Sequence, residues 1–318
     1  MRIDIGPNEK GQRLDKFLRK LLKDVPLGKI FKSIRTGEVK VNGKKCKQNY
    51  SLLEGDVLVL NDIETQKADK VFNRVDNGFL KITYEDENFL VVEKWPGVLV
   101  HANSKNGDPT LTDYVLSYLY DKGDYSPEKE ITFTPASCNR LDRNTSGIVV
   151  FGKNHSALKS LNEMIRERTI KKYYVALVRG RITDGLYKAY IVKQENNNLS
   201  KVYDKPVENS KEIAMQVNVL QSVGIYTFIE IELITGRSHQ LRAHLSHLGN
   251  AIVGDPKYGD KKINSYFENK YGLAFQFLYA YKLVFKNCEE DLSYMENKTI
   301  VESLPPMFKK IKKDVFKF

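Results

Sequence analysis

The hydrophobic pattern of this chain changes period once, and that change divides it in two. In residues 12–22, Q-R-L-D-K-F-L-R-K-L-L, the side chains of Leu14, Phe17, Leu18, Leu21 and Leu22 share one helical face, and Arg13, Lys16, Arg19 and Lys20 occupy the rest. Pro26 stops this helix. Residues 27–35 predict a second short helix with Ile30, Phe31 and Ile34 inward, closed by Thr36-Gly37. Val39 and Val41 then alternate with Lys40, Asn42-Gly43 is a hairpin-turn signal, and residues 57–60 predict a strand. From residue 80 the pattern is mainly that of strands, predicted at 82–84, 89–93, 147–151, 173–178, 189–192, 213–220 and 226–233, with helices at 111–120 and 155–166. Strands outnumber helices without strict alternation, so the expected class is α+β: a small N-terminal α/β module, then a domain with a mixed, largely antiparallel sheet flanked by helices and loops.

Boundaries follow from composition. Residues 12–61 form the small module, and 62–79, polar with few apolar residues, read as a linker. Residues 80–305 form the body and 306–318 a basic tail. In that tail Phe308, Ile311 and Val315 share one helical face, too short for membrane insertion and suited to docking on the body. Asn196-Asn197-Asn198 reads as a loop tip.

Charge is segregated in the same way. The chain carries +11 overall; residues 1–50 contribute +9 and residues 307–318 contribute +4, leaving the remainder at −2. Basic ends on a near-neutral body suit a polyanion, because neutralising phosphates releases counterions. The longest apolar runs, such as residues 148–151, cannot span a bilayer. Residues 1–5 lack an export signal, and three dispersed cysteines form neither a disulfide framework nor a zinc motif. A cytoplasmic protein without membrane attachment is expected.

Three segments carry chemistry. Residues 138–153 read C-N-R-L-D-R-N-T-S-G-I-V-V-F-G-K, placing Asp142 between Arg140 and Arg143 just before an apolar strand. Nearby positive charge favours the ionised carboxylate, which is then available as a nucleophile. Residues 171–180, K-K-Y-Y-V-A-L-V-R-G, form a strand with Tyr173 and Tyr174 on opposite faces. Residues 235–244, T-G-R-S-H-Q-L-R-A-H, precede G-D-P-K-Y-G at 254–259. His239 and His244 lack accompanying carboxylate or cysteine ligands at metal spacing, so polar packing near a helix start is expected rather than a metal site. No glycine-rich phosphate or dinucleotide loop is present, which argues against a methyltransferase or other cofactor-dependent enzyme.

Residues 12–60, through R-L-D-K-F-L, I-R-T-G-E-V-K-V-N-G-K and L-L-E-G-D-V-L, resemble an S4 RNA-binding domain. From about residue 80 to 305 the chain resembles the RluA/RluC/RluD family of pseudouridine synthases, through F-L-V-V-E-K-W-P-G-V-L-V-H, R-L-D-R-N-T-S-G, K-x-Y-x-A-x-V-x-G and T-G-R-S-H-Q-L-R-A-H. Asn139, where many relatives have His, marks a branch similar to RluC, which acts on large-subunit ribosomal RNA. The resemblance implies an isomerase needing no metal or organic cofactor. It implies Asp142 as nucleophile, Tyr174 stacking on the flipped base, and Arg242 pairing with Asp142. Arg140 would fill the gap in the RNA or grip a phosphate, with Arg143, His239 and Gln240 also at the substrate. Arg13, Lys16, Arg19, Lys20, Lys32, Arg35, Lys40, Lys44 and Lys45 would hold RNA phosphates. The expected partner is large-subunit ribosomal RNA before or during assembly, and the expected state a monomer. The alternative is a non-catalytic RNA-binding assembly factor on the same fold.

Overall fold

The structure, a computed structural model, describes residues 1–61, 73–102, 107–194, 199–288 and 290–317. In the N-terminal module, β1 (Arg2–Asp4), α1 (Leu14–Leu21), α2 (Leu27–Thr36), β2 (Val39–Val41) and β3 (Val57–Leu60) form two helices over an antiparallel sheet of order β1-β3-β2. Leu14, Phe17 and Leu18 of α1 and Ile30 and Ile34 of α2 close on Val39, Val41, Leu58 and Leu60. Gly37 caps α2 at φ 86°, and the stem of Lys45 crosses where a β-carbon would stand. Asn42 and Gly43, with φ of 51° and 75°, make the turn that leaves β2. Two expectations change here. The module's sheet takes in β1, which the helical pattern left outside, and Phe31 is only half-buried, lining an open cleft rather than the core.

The body follows as β4 (Ile82–Glu85), β5 (Phe89–Lys94), α3 (Leu111–Lys122), β6 (Ala136–Ser137), β7 (Ser146–Gly152), α4 (His155–Arg166), β8 (Ile170–Arg179), β9 (Gly185–Gln194), β10 (Leu199–Tyr203), β11 (Lys211–Val223), β12 (Tyr226–Leu233), α5 (Gln240–His247), α6 (Lys261–Tyr271), β13 (Leu278–Phe285), β14 (Thr299–Val301) and α7 (Pro306–Phe316). Its sheet runs β10-β9-β11-β12-β8-β13-β7-β5-β4, with β14 beside β13 and β6 beside β7. The β13–β7 pair is parallel and the other pairs are antiparallel, as the mixed-sheet reading expected. At that parallel junction Gly147 has φ 122°, and a β-carbon there would stand 2.2 Å from the Ala280 carbonyl oxygen. Only glycine lets β7 lie this close to β13.

Strand β8 is buried on both faces, which explains its near-continuous apolar run. Tyr174, Ala176 and Val178 meet α3 and α5 through Val115, Leu119, Leu241 and Leu245. On the opposite face Val175 and Leu177 share a cluster with Phe228, Phe277, Tyr279 and three residues of α7, Phe308, Ile311 and Phe316. The rings of Phe308 and Phe277 stack at 3.9 Å. The tail therefore docks on the body, with Phe316 and not Val315 as its third fully buried anchor.

Of the predicted linker, 62–72 lies outside the described residues, as does the predicted Asn196–Asn198 loop tip. Residues 73–79 belong to the body's surface. Arg74 donates to Asp121 at 2.7 Å, the Val75 amide to Ser117 at 3.0 Å, and Phe79 packs edge-on against Trp95 and Tyr114. Their contacts are mostly polar, so a hydrophobic pattern could not reveal them. The module touches the body through Asn8, which donates to Glu130 and accepts from the His155 amide, through Glu9, which accepts from Thr132, and through Ile131, which packs on the module's core. Among the described residues no helix is long and apolar enough to cross a membrane.

Candidate active site

The loop between β6 and β7 carries Asp142, and three devices shape it. The Asn139 side chain accepts from the Val150 amide at 2.8 Å, replacing a strand partner where the loop departs. The Thr145 amide donates to the Asp142 carbonyl at 3.1 Å, closing a tight turn. Lys94, fully buried at the end of β5, donates to the carbonyls of Trp95, Val98 and Arg143 at 2.8–3.0 Å. One ammonium thus ties the loop after β5 to the loop that holds Asp142. Burial pulls the Lys94 ammonium down to about 7, against the opposing charge of Asp142.

Arg242, on α5, approaches from the other side. Its Nη1 donates to Asp142 Oδ2 at 3.0 Å, the pairing expected from the motifs. Its Nε and Nη2 form a fork with Asp255, at 2.7 and 2.9 Å. Side-chain exposure grades along this chain, 0% at Asp255, 5% at Arg242 and 26% at Asp142, so only the last carboxylate faces solvent. Burial works against the charge on Arg242, but Asp255 and then Asp142 outweigh it and hold the guanidinium above its usual range. The Tyr258 ring lies 5.2 Å from the guanidinium carbon.

Tyr174 is buried beneath this group, and burial first, then the charge of Asp142, push its phenol above the usual range. Tyr173 points to the other face, donating to Glu232 at 3.1 Å under the Lys282 ammonium. His239, in the left-handed region at φ 55°, caps α5 and lies 3.0 Å from the Tyr258 hydroxyl. Burial lowers its pKa, and Asp142 only partly offsets that. Arg140 is exposed and has no hydrogen-bond or ion-pair partner among the described residues.

One expected substrate contact, Gln240, is turned to the protein, while Arg143 stays exposed and is tied to the loop after β5. Gln240 is 2% exposed; it accepts from Thr235 and the Arg237 amide and donates to the Ala214 carbonyl, so it is a strut between the third motif and β11. Arg143 donates to the Gly97 carbonyl at 2.8 Å and lies 3.6 Å from Asp108. His244 is buried on α5, and burial takes its imidazole down to about 4. No group of three metal-ligating side chains occurs among the described residues. Lys94 and Asp255 join the site without having been expected there. Both lie inside quoted motifs, but their partners are distant in sequence.

The N-terminal module holds a concavity, lined by Arg13, Lys32, Arg35, Lys45 and Lys47 around Phe31. Lys16, Arg19 and Lys20 project from the exposed face of α1, Lys44 from the turn, and Lys40 is half-buried on β2; none of these five lines the cleft. Lys47 does, and was not among the expected phosphate contacts.

A carboxylate half-open to solvent, braced by a buried arginine and with a buried tyrosine nearby, is suited to nucleophilic attack on a base or sugar brought to it. Comparisons with known proteins point to one family. The RNA pseudouridylate synthase family matches residues 88–247, and the S4 domain family matches residues 12–58. Ribosomal large subunit pseudouridine synthase C of Vibrio parahaemolyticus is 32% identical over 309 residues, covering 95% of this chain and 93% of that protein. The protein of that name from Buchnera aphidicola is 35% identical over 295 residues, covering 89% and 88%. The solved structure of human RNA pseudouridylate synthase domain containing 4 shares the fold, with a TM-score of 0.58 at 24% identity over 74% of this chain and 93% of that one. Motif order, site geometry and these matches lead to one conclusion: the chain belongs to the RNA pseudouridylate synthase family, with an S4 domain ahead of its catalytic body.

Proposed function

We propose that this pseudouridine synthase isomerises uridines of large-subunit ribosomal RNA, with Asp142 as its nucleophile. The observation that carries the reading is the bridge from buried Asp255 through Arg242 to the half-open Asp142. A carboxylate so held is kept aimed by a charge-assisted hydrogen bond. The target uridine leaves its stack, and Asp142 attacks its ribose or its base. The N1–C1′ bond breaks, the base turns, C5 joins C1′ with release of Asp142, the C5 proton is lost and N1 takes up a proton. These atoms balance without an added redox partner. Tyr174 stacks on the base, and its hydroxyl assists removal of the C5 proton. Arg140, exposed and unengaged, fills the space the uridine leaves. His239 borders the same opening.

The cations of the N-terminal cleft hold RNA phosphates, which supplies affinity with little sequence information. Relatives named as large-subunit synthases support the ribosomal substrate. Reaching a base inside that RNA is easiest before ribosomal proteins cover it, which favours action before or during assembly; we take the protein as a cytoplasmic monomer. The test is a pseudouridine map of large-subunit ribosomal RNA from cells lacking the gene. One or more pseudouridines should vanish and return with the wild-type gene but not with Asp142→Asn. An unchanged map would overturn the ribosomal substrate.

A further inference from the structure

We infer that Phe79, Trp95 and Tyr114 form a stacking site for an unpaired RNA base that neighbours the target uridine. This rests on RNA as the substrate and on Asp142 as the reacting group. Phe79 packs edge-on against Trp95 and Tyr114, with ring centroids 5.0 and 5.1 Å away. Trp95 and Tyr114 meet in the same manner at 5.2 Å. Phe79 nevertheless remains 57% exposed. A single exposed aromatic side chain is common and needs no explanation. Here three rings are gathered, and the fold sets them at the catalytic edge of the sheet.

That placement follows from strand order. Phe79 precedes β4, Trp95 follows β5, and Asp142 precedes β7. The three strands are neighbours in the order β7-β5-β4, each pair antiparallel, with Ile82 opposite Val92 and Lys94 opposite Gly147. The start of β4, the end of β5 and the start of β7 therefore share one edge. Neighbouring strands lie about 4.8 Å apart, so the outer two of these ends are on the order of 10 Å apart. A nucleotide beside the target spans such a distance. The loops are also fastened together. The Gly97 amide donates to the Arg143 carbonyl at 3.0 Å, and Arg143 Nε donates back to the Gly97 carbonyl at 2.8 Å. Lys94 gathers the Trp95 and Arg143 carbonyls on one ammonium.

Phe79 is presented by a pinned turn. The Leu80 amide donates to the Asn77 carbonyl at 2.9 Å, and Asn77 and Arg74 both donate to Asp121 of α3, at 2.8 and 2.7 Å. A ring already held in place loses little freedom on contact, so more of the stacking energy survives as affinity. Arg143 stands between the cluster and Asp142, exposed apart from Asp108 at 3.6 Å. Its charge suits the phosphate that joins the two nucleotides. Stacking on flat rings tolerates any base, so the site adds affinity and orientation and little sequence preference.

Trp95 is the single tryptophan of the chain, so its emission reports on this site directly. The experiment follows that emission in wild type and Asp142→Asn during titration with transcribed large-subunit ribosomal RNA, with free tryptophan as the absorbance control. RNA affinity, single-turnover rate and thermal melts are measured for wild type, Phe79→Leu and Phe79→Tyr. Leucine keeps an apolar cap on the cluster without a ring. Emission should fall on RNA binding in both wild type and Asp142→Asn. Phe79→Leu should raise the half-saturating RNA concentration at least about fivefold, the lower end of base–aromatic stacking, with a much smaller change in saturating rate and melting temperature. Phe79→Tyr should hold the affinity within about twofold of wild type, because its ring offers the same flat face.

Emission that does not respond to bound RNA overturns the inference. So does Phe79→Leu protein that binds RNA as tightly as wild type, or Phe79→Tyr protein that binds as weakly as Phe79→Leu. Should Phe79→Leu fail to fold, the emission of the unaltered chain decides the matter. These readouts need binding alone, so they hold whether or not the RNA is modified. RNA that wild type binds and leaves unmodified would instead sink the proposed substrate, whatever Phe79 does.

Discussion

Arg242 meets Asp142 at 3.0 Å across a hundred positions of chain, and the contact joins the β6–β7 loop to the start of α5. Both ends were legible as motifs, but the contact belongs to the fold. Because Arg242 also neutralises a carboxylate with no access to water, it serves stability and chemistry together. Arg242→Gln should leave Asp255 buried and uncompensated, costing about 3–5 kcal/mol. Denaturant unfolding checks this; a loss below about 1 kcal/mol would mean that Asp255 finds another partner.

The two tyrosines of β8 should respond differently. Tyr174→Phe should bind RNA as the wild type does and turn over at least about tenfold more slowly, since the ring remains and the hydroxyl is gone. Tyr173→Phe removes only the bond to Glu232, about 1 kcal/mol of stability, and should leave turnover unchanged. Comparing kcat and RNA affinity for the two settles which face of the strand meets the substrate.

His244 sets an acid limit on stability. Its folded pKa, about 4, lies below its ordinary 6.5, because burial disfavours the charged ring and the nearby His247 adds to this against Asp204. The unfolded chain therefore binds more protons between those values. Its contribution is full above pH 6.5 and is lost as pH falls toward 4, by about 3 kcal/mol in total. Denaturant midpoints at pH 7 and pH 4.5 should fall further apart in wild type than in His244→Gln, whose side chain does not titrate. Equal separations would show that other groups set the acid limit.

The N-terminal cleft should act through charge. Replacing Lys32, Arg35 and Lys45 together with alanine should reduce the slope of log affinity against log salt by about 0.7–0.9 for each lost phosphate contact. Replacing Lys16, Arg19 and Lys20, which project from α1 outside the cleft, should change it less. A salt titration with both triple variants reads this directly; equal effects would show that the cleft is not the phosphate track.

Much of the fold was visible in the period of the apolar residues. Strands with a dry face, such as β7 and β8, announced themselves, and the helical face of α1 predicted the module's core. The pattern passed over α6, because K-K-I-N-S-Y-F-E-N-K-Y buries Phe267 fully and shows no apolar stripe. It passed over β1, whose buried residue is the single Ile3. At the site, Asp142, Tyr174 and Arg242 stood in recognisable motifs. Lys94 and Asp255 did not stand out, because their importance lies in what they touch, 49 and 13 positions away. Gln240 misled for the same reason: its polar side chain is consumed by Ala214, 26 positions back.

The most direct test of the account is single-turnover isomerisation by purified Asp142→Asn protein on large-subunit ribosomal RNA, with RNA affinity measured alongside. The substitution keeps the side chain's shape and removes its charge. Affinity should stay unchanged within about threefold and the rate should fall by at least about four orders of magnitude, since covalent attack is lost outright. Turnover within about tenfold of wild type would contradict it.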